Sequence, residues 1–282
     1  MSALPPVDRA SPSGVAALLK RHGLAPDKNL GQHFLVDRHA LDTIVDAGAP
    51  NRTTTVLEIG AGLGTLTERL AERAGRVVAV EYDHRLAPVL DEAFADDPHV
   101  DTVYADAMKF DLGTLPEGSM LISNLPYQIS TAILTRALMS ARFSRLVVLV
   151  QKEVAQRLTA EPGAPLFGAL SVIRSFFGPA QLVRDVAAGS FFPPPAVSSS
   201  VVRMDVTRHE AMPATLERLI RQGYAHRRKT LAKNLTMAGW PREQTSEALT
   251  ATGLPAAVRA EALGIDTWLA FHDQLVSASS RA

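Results

Sequence analysis

The chain has 282 residues, no cysteine, and 29 Lys plus Arg against 29 Asp plus Glu, a formal net charge of zero. This excludes disulfides and a thiol nucleophile, and the scattered histidines show no metal-ligand spacing, so no metal is expected. The length allows one large domain plus a smaller one. The start lacks the basic and apolar regions of a signal peptide and no run approaches the ~18 apolar residues of a membrane span, which points to a cytoplasmic protein, a monomer by default.

Residues 1–13, Pro- and Ser-containing, are expected to form a flexible tail, as are Ser277 to Ala282. The first strongly patterned run, Thr55 to Thr67, reads T-V-L-E-I-G-A-G-L-G-T-L-T: a β-rich stretch ends in Gly60, Gly62 and Gly64 and leads into a helical pattern through Leu66, Leu70 and Ala71. A dinucleotide fingerprint would place its third glycine at position 65, which is Thr65, so the spacing argues against a pyrophosphate ligand. Glu58, just before the loop, suits a cationic or amine-bearing ligand and would repel a phosphate. S-adenosylmethionine, with a sulfonium, an amine and a carboxylate, has that character.

Arg76 to Val80 is strand-like and ends at Glu81, about 20 residues past the first loop glycine, where such folds place an acid on ribose hydroxyls. Thr102 to Ala105 ends at Asp106, and Met120 to Ser123 ends at Asn124. Taken singly, a strand-end acid reads as a helix cap or solvated turn. Their recurrence at successive strand ends predicts one crevice lined by Gly60, Glu81, Asp106 and Asn124, because ligands of open α/β sheets lie outside the carboxyl ends of the strands.

Asn124, Leu125, Pro126 and Tyr127 form N-L-P-Y. An aromatic exocyclic amine is a poor nucleophile because its lone pair is delocalised, so activating it requires acceptors that favour a pyramidal nitrogen. The Asn124 side-chain carbonyl can accept one N–H and the main-chain carbonyl of Leu125 or Pro126 another. Pro126 fixes φ, and Tyr127 offers a flat face on which a purine can stack. The tetrapeptide alone could equally be a strand-to-turn break; the crevice upstream favours the chemical reading.

Further on, Arg145 to Val150 is expected as a fifth strand and Gln151 to Thr159 as a helix. Glu161 to Pro165 reads as a loop, and Leu170 to Phe177 and Ser199 to Val206 as strands that finish the sheet. After a linker over Asp205 to Met212 the pattern turns helical, with Leu216, Leu219 and Ile220 on one face and later helices around Glu243 to Thr250 and Thr267 to Val276. The alternation predicts a mostly parallel, doubly wound α/β domain over 14–206 and a small helical domain over 207–282.

N-L-G-Q-H-F-L (Asn29 to Leu35), E-I-G-A-G-L-G, V-E-Y-D, D-A-M, N-L-P-Y-Q-I-S, F-F-P-P-P (Phe191 to Pro195) and A-H-R-R-K-T-L (Ala225 to Leu231) together resemble the ribosomal RNA adenine dimethyltransferases, on their bacterial small-subunit branch. The resemblance runs from about Lys28 to about Leu275. It implies a Rossmann-like class I methyltransferase sheet and S-adenosylmethionine as cofactor, held by His33, Leu35, Glu58, Gly60, Gly62, Glu81, Asp106 and Asn124. It implies a catalytic set of Asn124, Leu125, Pro126 and Tyr127, with Phe191 closing the other face of the base. The substrate it implies is two adjacent adenosines near the end of 16S rRNA, within an immature small subunit. His33 stands where many relatives have Asn, and Ala196 and Ser198 where Lys and Asp are frequent.

Zero net charge sits awkwardly with an RNA substrate. Arg218 to Lys233, however, carries Arg218, Arg221, Arg227, Arg228, Lys229 and Lys233 without one acid. Such a cluster is commonly a solvated helical face; the match to the family's R-R-K-T segment favours Arg227, Arg228 and Lys229 as phosphate contacts, with Arg145, Lys152 and Arg157 behind them. Three alternatives remain open at this level: a large-subunit rRNA methyltransferase, a noncatalytic subunit-assembly factor, and a nicotinamide-dependent dehydrogenase.

Overall fold

Nine strands organise the described residues: β1 (Phe34–Leu35), β2 (Thr55–Ile59), β3 (Arg76–Glu81), β4 (Val100–Tyr104), β5 (Ser119–Asn124), β6 (Phe143–Gln151), β7 (Ala180–Val186), β8 (Phe191–Phe192) and β9 (Ser199–Asp205). They belong to a computed structural model that describes residues 7–27 and 29–279. Seven strands form one sheet in the order β4-β3-β2-β5-β6-β9-β7, and β1 pairs with β8 in a separate two-stranded ribbon. Strands β2 to β6 run parallel, while β9 joins β6 and β7 antiparallel. The central strands are apolar along their length because both faces are covered, which leaves no in-out alternation to read; Val56, Leu57, Val77, Ala79, Leu121 and Ile122 are fully buried.

The chain winds from β2 outward through β3 to β4, then returns to the other side of β2 for β5 and β6. The order reverses between β2 and β5, and a doubly wound sheet opens a crevice at that point. The buried Ser123 hydroxyl donates to the Ile59 carbonyl at 2.6 Å and holds the two strand ends side by side.

By packing the chain divides into two units. One runs to Ala155 and resumes over Ala180–His209; the other takes Gln156–Pro179 and continues from Glu210. The second unit packs helices Ala214–Gly223, Leu231–Met237, Arg242–Ala251 and Ile265–Ser279 around Trp268, Phe271, Leu216, Leu219 and Ile220, all fully buried.

Three sequence expectations are corrected. Leu170 to Phe177, expected as a strand, lies in the helix Ala169–Phe177, and the strand of that region is β7. The polar residues Ser171, Arg174 and Ser175 of this helix fall at helical spacing opposite Leu170, Ile173, Phe176 and Phe177, so the period was present, and the β-branched and aromatic content of the run misled the strand reading. The Ser171 hydroxyl accepts the Gly168 N–H and closes its first turn. The expected tail over 1–13 has residues 1–6 outside the described range, but Ala10 is buried and Ser11 caps the helix Pro12–Arg21 by accepting the Gly14 N–H at 3.1 Å. Ser followed by Pro is an N-terminal helix signal that the Pro-Ser composition concealed. At the other end the chain is helical through Ser279, and 280–282 lie outside the described residues.

Candidate active site

A cavity of about 350 Å³ opens at the carboxyl ends of β2, β3 and β5 and behind the segment Leu30–Leu35. Its wall brings together His33, Leu35, Glu58, Gly60, Gly62, Glu81, Asp106, Asn124, Leu125, Pro126 and Tyr127, residues drawn from distant parts of the chain. Among the described lining residues there is no Lys or Arg. An anionic pyrophosphate would find no counter-charge there; a cationic or zwitterionic ligand meets Glu81 and Asp106.

The glycine loop touches the N-L-P-Y turn directly. Gly60 has φ +82°, and a Cβ on it would lie 3.1 Å from Pro126 Cγ and 3.2 Å from Pro126 Cδ. Only glycine takes this backbone readily and lets the loop approach the motif so closely. The loop is also anchored to the acid of the next strand: Glu81 accepts the Gly62 N–H at 2.8 Å through Oε2 and the Asp83 N–H at 2.8 Å through Oε1. Burial raises the Glu81 pKa against those two hydrogen bonds. Each oxygen keeps a lone pair for a further donor. Asp106 accepts the Met108 N–H at 2.8 Å and is one-third exposed.

Glu58 differs from the expectation of a charged acid beside the loop. It is 2 % exposed and accepts the Thr67 hydroxyl at 2.6 Å. Burial, with the Glu81 charge nearby, pushes its pKa up to about 8. At neutral pH the group is mostly protonated, so it shapes the base of the loop without supplying full charge. Between the ordinary carboxylate range and about 8 the folded chain keeps a proton that the unfolded chain has lost, so stability falls as pH rises through that window. Glu58→Gln retains a carbonyl for Thr67 and removes the titration. Thermal midpoints between about pH 5 and about pH 8 should decline less steeply in this variant than in the parent; parallel profiles would contradict the assignment.

In the N-L-P-Y turn, the Asn124 amide has no hydrogen-bond partner among the described residues and faces the cavity. The Pro126 carbonyl is engaged by the Ile129 N–H at 3.2 Å, whereas the Leu125 carbonyl has no partner among the described residues. Of the two main-chain acceptors the sequence left open, the structure leaves Leu125 the freer. Tyr127 is fixed at its hydroxyl by Ser199 Oγ at 2.6 Å, and burial raises its phenol pKa.

Phe191 is not brought to the cavity. It is 3 % exposed, paired across the β1–β8 ribbon with Leu35, and packed in the apolar core. The resemblance placed Phe191 over the other face of the base, but Phe191 on β8 turns into the core, which the alternation of a strand only two residues long could not reveal.

Four supporting residues escaped sequence reasoning although two lie inside the motifs. Gln32 donates to Asp83 at 2.8 Å, and Gln128 donates to the Asn29 carbonyl at 3.1 Å, so the segment before β1 is tied to the turn after β3 and to the N-L-P-Y turn. Ser199 orients Tyr127, and Arg136 binds the carbonyls of Ala107 and Phe110, holding the loop that carries Asp106. Their signal was a polar side chain within or beside a motif, which is indistinguishable from surface polarity until the fold supplies the partner.

In the second unit, Arg227, Arg228 and Lys229 lie in the turn between helices Ala214–Gly223 and Leu231–Met237 and are exposed, so the basic run is not one helical face. The buried Asn234 side chain donates to the carbonyls of Gly223 at 2.6 Å and His226 at 3.2 Å and holds this turn. Arg227 donates to the Pro165 carbonyl. Of the weaker sequence candidates, Arg145 is paired with Asp205 at 2.6 Å and Lys152 with Asp185 at 2.7 Å.

A cavity that joins a glycine loop, a strand-end acid and the N-L-P-Y turn can be tested against known families. The family model for ribosomal RNA adenine dimethylases matches residues 25–275. The chain belongs to the ribosomal RNA adenine dimethylase family. This rRNA adenine dimethyltransferase is 47 % identical over 253 residues to the ribosomal RNA small subunit methyltransferase A of Deinococcus radiodurans, with 89 % of this chain and 86 % of the relative covered. It is 36 % identical to the protein of the same name from Pelotomaculum thermopropionicum, with 96 % and 99 % covered. Among solved structures, a dimethyladenosine transferase from Plasmodium falciparum superposes with a TM-score of 0.73 at 24 % identity, over 88 % of this chain and 97 % of the other. The 23S rRNA methyltransferase ErmE superposes at 0.66 and 26 % identity, over 86 % and 99 %. The dimethyltransferase thus has the expected class I α/β fold, and membership of this family sets the dehydrogenase alternative aside. No described helix is long and apolar enough to cross a membrane.

Proposed function

We propose that the chain uses S-adenosylmethionine to dimethylate N6 of two adjacent adenosines near the 3′ end of 16S rRNA, within immature 30S subunits in the cytoplasm, acting as a monomer. The observation that carries this reading is the contact of Gly60 with Pro126 in one cavity that also exposes the unpartnered Asn124 amide. Glu81 is suited to the ribose hydroxyls of the cofactor, Asp106 to its adenine amino group, and the glycine loop to its methionine end, with His33, Leu35, Glu58 and Gly62 completing the wall. When bound, S-adenosylmethionine supplies an electrophilic methyl group on a sulfonium.

The Asn124 side-chain carbonyl and the Leu125 carbonyl accept the two N6 hydrogens, turn the nitrogen lone pair toward the methyl carbon, and stabilise the positive charge that develops on nitrogen. Tyr127 stacks on the base. As the N–C bond forms the C–S bond breaks, and the proton then acidified on N6 leaves to water, so no strong base is required. Orientation supplies most of the acceleration.

The turn carrying Arg227, Arg228 and Lys229, in the helical region 207–282, is proposed to contact RNA phosphates. Replacing Arg228 and Lys229 by Ala should flatten the dependence of log affinity on log salt by about one per lost phosphate contact, whatever the RNA sequence; an unchanged slope in filter binding would remove the turn from the interface.

Undermethylated small and large subunits incubated with labelled cofactor decide the main reading. N6,N6-dimethyladenosine in digested 16S rRNA is the expected product. Label in 23S rRNA alone would favour the specificity named for ErmE, and no label in either would overturn the proposal. Full rescue of subunit maturation in cells by an Asn124 variant would favour an assembly role without chemistry.

A further inference from the structure

Leu30 to Leu35 line one side of the cavity without a gap, yet no described residue between Arg21 and Phe34 belongs to a helix or strand. Side chains must therefore hold this wall. Two of them meet at Asp83, which is buried just outside the cavity lining. Its carboxylate accepts the Gln32 side-chain N–H at 2.8 Å and the Arg85 guanidinium at 2.8 Å through Nε and 2.7 Å through Nη2. Arg85 Nη2 also donates to the Asp27 carboxylate at 3.0 Å, and the Asp27 N–H donates to Gln32 Oε1 at 2.8 Å. Asp27, Gln32, Asp83 and Arg85 thus close a ring of hydrogen bonds that fastens the wall to the turn after β3. The same turn reaches the site directly, because the Asp83 N–H donates to Glu81. The wall's other side-chain attachments are neutral: Gln128 to the Asn29 carbonyl, and His33 Nδ1 to the Pro193 carbonyl.

We infer that Arg85 and Asp27 are positioning residues that set how long S-adenosylmethionine, and S-adenosylhomocysteine after transfer, stay bound. The inference rests on the reading of the cavity as the S-adenosylmethionine site. Neither side chain lines the cavity, so both act through Gln32, Asp83 and the wall. A planar guanidinium suits this role, since it presents two nitrogens to Asp83 and still reaches Asp27; an ammonium is a point charge and cannot fork in that way. Each methyl transfer spends one cofactor molecule, so the wall must both hold and release. Arg85 is half exposed and Asp27 about one-quarter exposed, and an ion pair so wetted is weak and screened by salt. It is the attachment that opens at low cost.

The experiment follows release of labelled S-adenosylmethionine and S-adenosylhomocysteine from the full-length protein into excess unlabelled compound, beside melting curves and single-turnover transfer at saturating cofactor. Asp27→Ala should speed release about threefold, the scale of one partly exposed ion pair, with the melting temperature and the single-turnover rate parent-like. Arg85→Lys should release at least as fast. The Asp27→Ala/Arg85→Lys double variant should be no faster than Arg85→Lys alone, because both changes break one link. Raising salt from about 0.05 to about 0.5 M should shorten the lifetime more in the parent than in Asp27→Ala. Arg76→Ala, which breaks the Arg76–Asp101 pair at the opposite end of β3, should leave the lifetime unchanged. A parent-like lifetime in either single variant, additive effects in the double variant, or an equal effect of Arg76→Ala would overturn the inference. A parent protein that binds no S-adenosylmethionine would instead refute the proposed function.

Discussion

Asn124→Ala should lower turnover by a hundredfold or more while leaving the melting temperature close to that of the parent. The side chain has no hydrogen-bond partner among the described residues, and Asn124 sits at the end of β5, where backbone pairing with β6 holds it in register. Truncation therefore removes an acceptor from the cavity without orphaning a buried donor, and costs little stability. In the transition state the loss is larger, because a preorganised dipole at a developing charge is worth about 3 kcal/mol in the comparable oxyanion setting. Single-turnover transfer to small subunits, measured at saturating cofactor, separates this loss from binding. Turnover within a few fold of the parent would remove Asn124 from the chemistry.

Gly60→Ala should be damaging from the opposite direction, by moving backbone. The residue sits at φ +82°, a conformation that costs an L-residue roughly 1–2 kcal/mol. Its new methyl would press on the Pro126 ring at 3.1–3.2 Å, so loop and motif must move apart by a few tenths of an ångström or more. The Glu81 carboxylate, bound to the Gly62 N–H, lies on the same connection. Methyl donor and amine approach each other from these two elements, and misplacement on the order of 1 Å at a reacting centre can cost a hundredfold. The expected result is a combined loss, with weaker cofactor binding in calorimetry and lower single-turnover rates. The melting temperature should fall modestly, since the strands on either side are untouched. Parent-like cofactor affinity and rate together would show that the contact with Pro126 has no role in the site.

These two variants probe different causes, a dipole and a distance, in one cavity. They also distinguish the site from its surroundings: a defect confined to subunit KM belongs to the base slot or the basic turn, and a defect confined to cofactor affinity belongs to the acids and the segment over the glycine loop.

Much of this cavity was readable before any fold was known, because its parts are local. Strand, glycine turn and helix over Thr55–Ala71 are encoded within a window that periodicity resolves. The acids and Asn124 follow directly on strand runs, and the rule that ligands gather at strand carboxyl ends brings them together without knowledge of which strands are neighbours. The N-L-P-Y turn has its chemistry in four consecutive residues. What failed was whatever depended on partners remote in the chain. In Ala169–Phe177 the helical spacing of Ser171, Arg174 and Ser175 was overlooked beside the β-branched and aromatic residues, and the Arg157 and Ala160 carbonyls that take up Ser171 and Arg174 appear only in the fold. Glu58 is largely neutral because the packed sheet desolvates it, and its formal charge in the sequence held no trace of that.

The sequence by itself determined the α/β winding, the glycine turn and the N-L-P-Y tetrapeptide, since each is set by backbone preferences and hydrogen-bonding groups within a few residues. Only the tertiary structure decided that Phe191 turns into the core, which main-chain carbonyl is free, and how close Gly60 comes to Pro126. Those are distances between segments far apart in the chain, and they emerge only when burial has chosen which side of each short strand turns inward.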